Sequence, residues 1–313
     1  MVDNMRQKML NFERRTSLLI SDFIFGGKIN EGDSSYSRKI ADIYFLFGLE
    51  IEFYIHQDAQ LYVDSHFIKK IYADFLAIAA KNNVKISEIE EEEGFNQFEI
   101  HIIPTDAVEN VCQFVKDVQD YSQNSPITLA AKPIKTQPSS AMHMHVSMYN
   151  GNDENMFVNA AGASKNSDED KYTTIFYNCI AGLLKTMPQY MHIFAPTEAC
   201  YDRFSVPKKS DISIHNPTNY SWGLNNRTCA IRVPRAILHD PANTRIEHRV
   251  CSPMANPYMA FVAIINGIFT GITNGLTPPP PIFGNAFSHD YDDIQKLPFN
   301  LNMAIAIKKD VEM

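Results

Sequence analysis

Gly48-Leu-Glu-Ile-Glu-Phe-Tyr-Ile55 alternates apolar and acidic side chains. In an extended chain, spacing by two places Glu50 and Glu52 on one face and Leu49, Ile51 and Phe53 on the other. The segment therefore reads as a strand with a buried side and a charged side. Two later stretches repeat the pattern. Ala141-Met-His-Met-His-Val-Ser-Met-Tyr149 sets His143 and His145 opposite Met142, Met144 and Val146, and Thr244-Arg-Ile-Glu-His-Arg-Val-Cys251 aligns Arg245, Glu247 and Arg249. Burying charged strand faces is costly unless something offsets the desolvation. Convergent carboxylates and imidazoles are most simply explained by bound divalent metal.

Outward from these stretches, residues 44–56 are expected to form a strand. Residues 65–82 follow as an amphipathic helix with Phe67, Ile68, Ile71, Phe75 and Ile78 along one side. A strand at 96–103 and a helix at 105–121 come next, then strands at 127–132 and 141–149. Residues 172–194 have helical periodicity and stop before Ala195-Pro196. Residues 220–233 and 244–251 are expected to form one strand each, and a long apolar helix starts at Asn256-Pro257 and runs to about Ile272, with proline in its first turn. Pro278 to Pro281 is a rigid extended spacer. The remaining pieces are a helix at 6–25, a Gly and Ser punctuated connector at 26–37, an acidic loop at 164–170 and an irregular, site-type loop at 200–215. Strands separated by helices in this order give an α+β fold: an antiparallel or mixed sheet with helices on one face and a polar site on the other. The domain division follows as an N-terminal helical or irregular segment, 1–40, and one catalytic-type domain, 41–313.

The chain has 313 residues, 45% hydrophobic and 20% charged, enough for a sizeable core. Its formal net charge is −8 and it carries no long Lys/Arg run, which argues against nucleic acid or an anionic membrane surface as partner. The apolar stretch 17–25 is broken by Asp22 and too short for a bilayer, and no signal peptide opens the chain, so a cytoplasmic location is the default expectation. Cys112, Cys179, Cys200, Cys229 and Cys251 lack any Cys-x-x-Cys pair and read as reduced, buried thiols. Trp222, the only tryptophan, reads as a packing wall.

In the acidic run 88–93, Glu88, Glu90, Glu91 and Glu93 read as a solvated face. Glu99 differs, because it sits on an alternating strand with Phe98, Ile100 and Ile102 turned away and Gln97 and His101 on its own side. The Gly94 to Asn96 turn can bring Glu92 back beside it. His101 reads as a satisfied core or rim histidine and is left outside the site.

Five motifs, in order, resemble those of the glutamine synthetase family: Gly48-Leu-Glu-Ile-Glu-Phe53, Glu92-Glu-Gly-Phe-Asn-Gln-Phe-Glu99, Met142-His-Met-His-Val-Ser147, Trp222-Gly-Leu-Asn-Asn-Arg-Thr228, and Arg245-Ile-Glu-His-Arg249 with Asn256-Pro-Tyr258. The resemblance spans roughly residues 44–285. It implies the family's catalytic-domain fold, of the guanido-kinase-like kind, with two Mg²⁺ or Mn²⁺ ions in a funnel. Glu52, Glu92 and Glu99 would hold one ion, and Glu50, His143 and Glu247 the other. It implies ATP as substrate: the γ-carboxylate of glutamate is phosphorylated, and ammonia or another amine displaces phosphate. Arg227 and Arg232 resemble the arginines that stabilise the transferring phosphoryl group. Arg245, His145 and Ser147 resemble nucleotide-side residues, and Arg203 and Arg249 a pair that clamps a substrate carboxylate, a task suited to a planar fork donor. The partners implied are small molecules, and the family's assembly would be a homo-oligomer.

Departures qualify the resemblance. Only 47 residues precede Gly48, too few for the β-grasp domain that the family carries there and that completes a neighbouring subunit's site. The family's Asn-Gly-Ser-Gly loop is Pro138-Ser-Ser-Ala141 here, and the segment after Arg203 lacks a clear counterpart of the glutamate that closes over the site. The chain also ends soon after Pro281. The expectation is an ATP-dependent carboxylate–amine ligase, with a shortened, non-catalytic paralogue that binds nucleotide, metal or a full-length synthetase as the alternative. The Trp222 to Thr228 motif resembles family branches that join glutamate to larger amines.

Overall fold

The computed structural model describes residues 43–55, 65–159, 171–205, 215–234 and 241–312. The expected helix at 6–25, the connector at 26–37, the acidic loop at 164–170 and most of the loop after Arg203 lie outside them. In chain order the elements are β1 (Ile43–Ile55), α1 (Ser65–Lys81), β2 (Ile86–Glu91), β3 (Gln97–Ile102), α2 (Val108–Gln123), β4 (Ile127–Thr128), β5 (Met142–Asn150), α3 (Thr174–Phe194), β6 (Trp222–Leu224), β7 (Ile231–Val233), β8 (Ile246–His248), α4 (Pro257–Thr273) and α5 (Leu301–Glu312). Short 3-10 turns at Glu198–Phe204, Pro241–Asn243 and His289–Tyr291 complete the set.

One mixed sheet runs in the order β2-β3-β1-β5-β8-β7-β6, with β4 paired to the end of β1. All pairings are antiparallel except β6 with β7. The central position of β1 follows from its apolar face. Phe45, Phe47, Leu49, Ile51 and Phe53 are all buried, and the rings of Phe47 and Phe53 meet Phe261 of α4 and Phe75 of α1 edge to face, at 4.9 and 5.1 Å. Helices thus cover the odd-numbered side of β1, which leaves Glu50 and Glu52 on the other. Aromatic pairs of this geometry add about 0.5–1.5 kcal/mol each beyond the burial of their area.

The helices begin where capping chemistry predicts. Asn256 accepts from the Met259 amide with Pro257 in the first turn, and Thr173 accepts from Phe176 at the start of α3. Helices α3 and α4 approach through Gly182, Gly267 and Gly271. A Cβ on Gly182 would collide with the Gly267 carbonyl oxygen, and one on Gly271 with the Asn178 carbonyl oxygen.

Several elements differ from the sequence expectation. The strand expected at 127–132 stops at Thr128, whose hydroxyl accepts from the Ala130 amide and draws the backbone out of the ladder. The stretch 220–233 is two short parallel strands. Asn225, at φ 49°, turns the chain after β6, and Asn226 Oδ1 accepts from both the amide and the hydroxyl of Thr228. The acidic run belongs in part to an edge strand, β2, in which Ile86 and Ile89 pack on the core while Glu88, Glu90 and Glu91 stay exposed. The C-terminal helix α5 had no sequence counterpart. All five cysteines are buried and none forms a disulfide, and Trp222 is buried with its indole N–H donating to Pro279 at 2.7 Å. Among the described residues no helix is long and apolar enough to cross a membrane.

Candidate active site

Register carries the acids and histidines into rows across the sheet. Glu52 of β1 lies opposite Glu99 of β3, and Glu50 lies between His101 of β3 and His143 of β5. His145 pairs with Glu247 of β8, which pairs in turn with Arg232 of β7. Because paired residues point to the same side of the sheet, the rows share one face. There Glu50, Glu52, Glu99, His101, His143 and Arg232 form a funnel also lined by Glu92, Gln97, Ser139, Arg203, Arg227 and Arg249, while Glu247 is fully buried.

The turn at Gly94 to Asn96 folds Glu92 back: its amide donates to the Gln97 carbonyl at 2.9 Å, and Asn96 takes the φ of 60° that the tight turn needs. Carboxylate oxygens of Glu52, Glu92 and Glu99 then lie within 4.8 Å of one another. On the other side, Nδ1 of His143 lies 3.2 Å from Glu50 and 3.8 Å from Glu247. The residues whose donor atoms all fall within 4.8 Å there are Glu50 with His145 and Glu247, and Glu50 with Glu99 and His143. The second set is therefore wider than the expected trio of Glu50, His143 and Glu247, and takes in His145 as well.

Charge crowding shapes the titration of these groups. Burial, then the charges of Glu99 and Glu92, push the Glu52 carboxyl well above the carboxylate range. Glu99 rises to about 7 through burial, with Glu50 and Glu92 adding to it against the pull of a hydrogen bond from His101. Burial would raise Glu247 too, but Arg249 above all, with His145, His143 and Arg232, holds it down to about 2. His143 falls to about 4 through burial and the nearby Arg249, so its imidazole is neutral near pH 7, the form that ligates metal.

The residues present fit divalent cations. Crowded carboxylates raised by one another are relieved by positive charge, and oxygen-rich donors with imidazole suit Mg²⁺ or Mn²⁺. A second observation agrees: buried Nε2 of His145 lies 2.9 Å from Glu50 Oε1, an imidazole nitrogen and a carboxylate oxygen side by side within reach of one ion.

The arginines divide. Arg227 is exposed at the funnel mouth. Arg232 donates to Glu247 at 2.7 Å and to Asn225 at 2.9 Å, and Arg249 pairs with the other Glu247 oxygen. Arg203, expected to clamp a carboxylate, donates through Nη1 and Nη2 to the carbonyls of Arg249, Val250 and Cys251, so its fork braces the backbone that carries Arg249. His145, Ser147 and Arg245 lie in an adjoining concavity with Gly48, Tyr149 and Asn243, where Arg245 Nε donates to His145 Nδ1 at 3.1 Å.

Three groups at the site were not assigned from the sequence. The Ala141 amide donates to Glu52 at 2.8 Å, so the Pro138 to Ala141 loop orients that carboxylate. Gln97 Nε2 donates to the Ser139 carbonyl at 3.0 Å and reaches Glu52 at 3.4 Å. His101 packs among Glu50, Glu90 and Glu99, and its pKa rises to about 9, chiefly through the hydrogen bond with Glu99. The alternation that put Gln97 and His101 on the Glu99 face was the available signal for both.

The model of the glutamine synthetase catalytic domain matches residues 36–312. The chain belongs to the glutamine synthetase family. Among its relatives, the gamma-glutamylputrescine synthetase PuuA of Escherichia coli (strain K12) is 32% identical over 69% of this chain and 42% of its own length. The glutamine synthetase of Clostridium saccharobutylicum is 29% identical over 66% of this chain and 44% of its own. The chain thus spans less than half the length of these curated relatives. Among solved structures, GmaS in an ADP complex superposes with a TM-score of 0.69 at 20% identity, covering 86% of this chain and 64% of that one, which establishes the shared glutamine synthetase-type fold.

Proposed function

We propose that residues 41–313 form the catalytic domain of an ATP-dependent carboxylate–amine ligase that phosphorylates the γ-carboxylate of glutamate and joins it to ammonia or another amine. The observation that carries this reading is the placement of two adjoining carboxylate sets beside Arg227 and Arg232 on one concave sheet face. A carboxylate is a poor electrophile, so amide formation needs an activated acyl group, and phosphoryl transfer needs charge neutralised at the transferring oxygens.

Glu52, Glu92 and Glu99, and Glu50, His143 and Glu247 with His145 beside them, would hold divalent cations. Such ions, when bound, would supply positive charge against the negative charge of the phosphates. Arg227, exposed at the mouth, would meet the transferring phosphoryl group, while Arg232 is held in the funnel by Glu247 and Asn225. Ser147 and Arg245 would take the nucleotide's polyphosphate on the adjoining side. Arg249 would meet the amino acid's carboxylate, with Arg203 fixing the backbone on which Arg249 sits. Among candidate amines, the name of the E. coli relative supports an acceptor larger than ammonia.

The test is phosphate release from ATP, Mg²⁺ and glutamate across a panel that includes ammonium and diamines. The reading predicts amine-dependent release. A second reading, a binding-only paralogue, is supported by the engagement of the Arg203 fork with backbone. It predicts calorimetric binding of ATP and metal with no turnover.

A further inference from the structure

Among the described residues, His101 and Glu50 border both the acidic funnel and the adjoining concavity of Ser147 and Arg245. Its ring is surrounded by carboxylates on three strands. Nε2 hydrogen-bonds Glu90 Oε1 of the edge strand β2 at 2.9 Å and lies 2.9 Å from Glu99 Oε2 on its own strand, and Nδ1 lies 3.7 Å from Glu50 Oε1 on β1. The imidazole therefore contacts Glu99, of the set with Glu52 and Glu92, and faces Glu50, of the set with His143 and Glu247, across 3.7 Å.

We propose that His101 is a positioning residue that ties the two cation sets together, orienting Glu99 and Glu50 at once, with Glu90 holding the ring from the sheet edge. This rests on the reading that those carboxylates hold divalent ions. The physical reason is that a glutamate reaching an ion through three rotatable bonds must be held by its second oxygen. Partners that hold a ligand in place govern affinity almost as strongly as ligands do, typically about 10–100-fold on removal. Both ring nitrogens face carboxylates, so the residue acts through them and not on a substrate. A purely structural rim histidine would instead contact one neighbour and leave both ion sets indifferent to its loss.

The experiment is titration of the full chain with Mn²⁺, free ion being followed by electron paramagnetic resonance, for the unaltered protein, His101→Ala and His101→Gln. Far-ultraviolet circular dichroism and the unfolding midpoint are recorded on each. The proposal predicts that H101A keeps the Mn²⁺ stoichiometry but binds both ions about 10–100-fold more weakly. H101Q, whose amide can still donate to a carboxylate, recovers part of that loss. Unchanged affinities in both variants would overturn the proposal while leaving the metal reading intact. So would weakening at one site alone. Loss of one whole Mn²⁺ equivalent with the rest unaffected would also overturn it, because His101 would then be a ligand, with Glu90 and Glu99, of a separate ion. An unaltered chain that binds no Mn²⁺ would overturn the metal reading and this inference with it.

Discussion

Glu247 shows how the site sets its own electrostatics. It is fully buried between Arg232 and Arg249, one arginine on each carboxylate oxygen. Removing one partner from a buried ionic cluster leaves the others uncompensated, so Glu247→Ala should lower stability by about 3–5 kcal/mol, read from urea denaturation. Arg227→Ala carries the opposite expectation. Its side chain is exposed at the funnel mouth, so stability should hold while kcat falls about 10²–10³-fold, the usual effect of losing one preorganised donor to a developing charge. The sign of the pH effect follows from Glu52 and Glu99, which are both raised, Glu99 to about 7. Protons compete with metal for those oxygens, so the gain in unfolding temperature from Mn²⁺ should grow as pH rises through 7 and shrink toward pH 6. A gain independent of pH would contradict the crowded-carboxylate account. At this scale alternation placed Glu50, Glu52, Glu99, His143, His145 and Glu247 on the polar sides of their strands, while their grouping into ion sets came only from the family resemblance. His101 escaped because its partners Glu50 and Glu90 come from other strands, and its importance lies in register that a single strand does not display.

Among the elements, β1 and β5 were legible to within a residue or so, since each has a strict apolar side that only one register can bury. The helices from Ser65 and Pro257 were equally plain from periodicity and capping. Edge strand β2 was not, because its composition is mostly glutamate and only Ile86 and Ile89 hold it to the core. The pair β6 and β7 was merged into one stretch because the turn between them depends on Asn226 side-chain bonds to Thr228, a feature of geometry and not of hydropathy. The α3–α4 contact makes an element-scale prediction. Gly182→Ala sets a methyl group against the backbone of α4, where no side-chain rotation can relieve it. Overpacking of this kind should cost about 1–3 kcal/mol in urea denaturation while leaving Mn²⁺ stoichiometry unchanged.

For the whole molecule, helices bury one face of the sheet and the opposite face gathers carboxylates, of which Glu52, Glu92 and Glu99 crowd one another. Divalent ions binding only the folded chain should therefore stabilise it, by about 2.7 kcal/mol when the free ion stands at 100 times its dissociation constant. An unfolding temperature indifferent to millimolar Mn²⁺ would remove the basis for the site. The part of the Pro138 to Ala141 loop that was not legible is its Ala141 amide, which orients Glu52 through the backbone and so carries no side-chain signal. The central claim is that this funnel activates a carboxylate with ATP, and the most direct measurement is phosphate release by the metal-loaded chain with glutamate and a panel of amines. The account predicts release that requires glutamate and rises with one amine of the panel. A folded chain that binds Mn²⁺ and ATP, yet releases no phosphate with any amine, would contradict it.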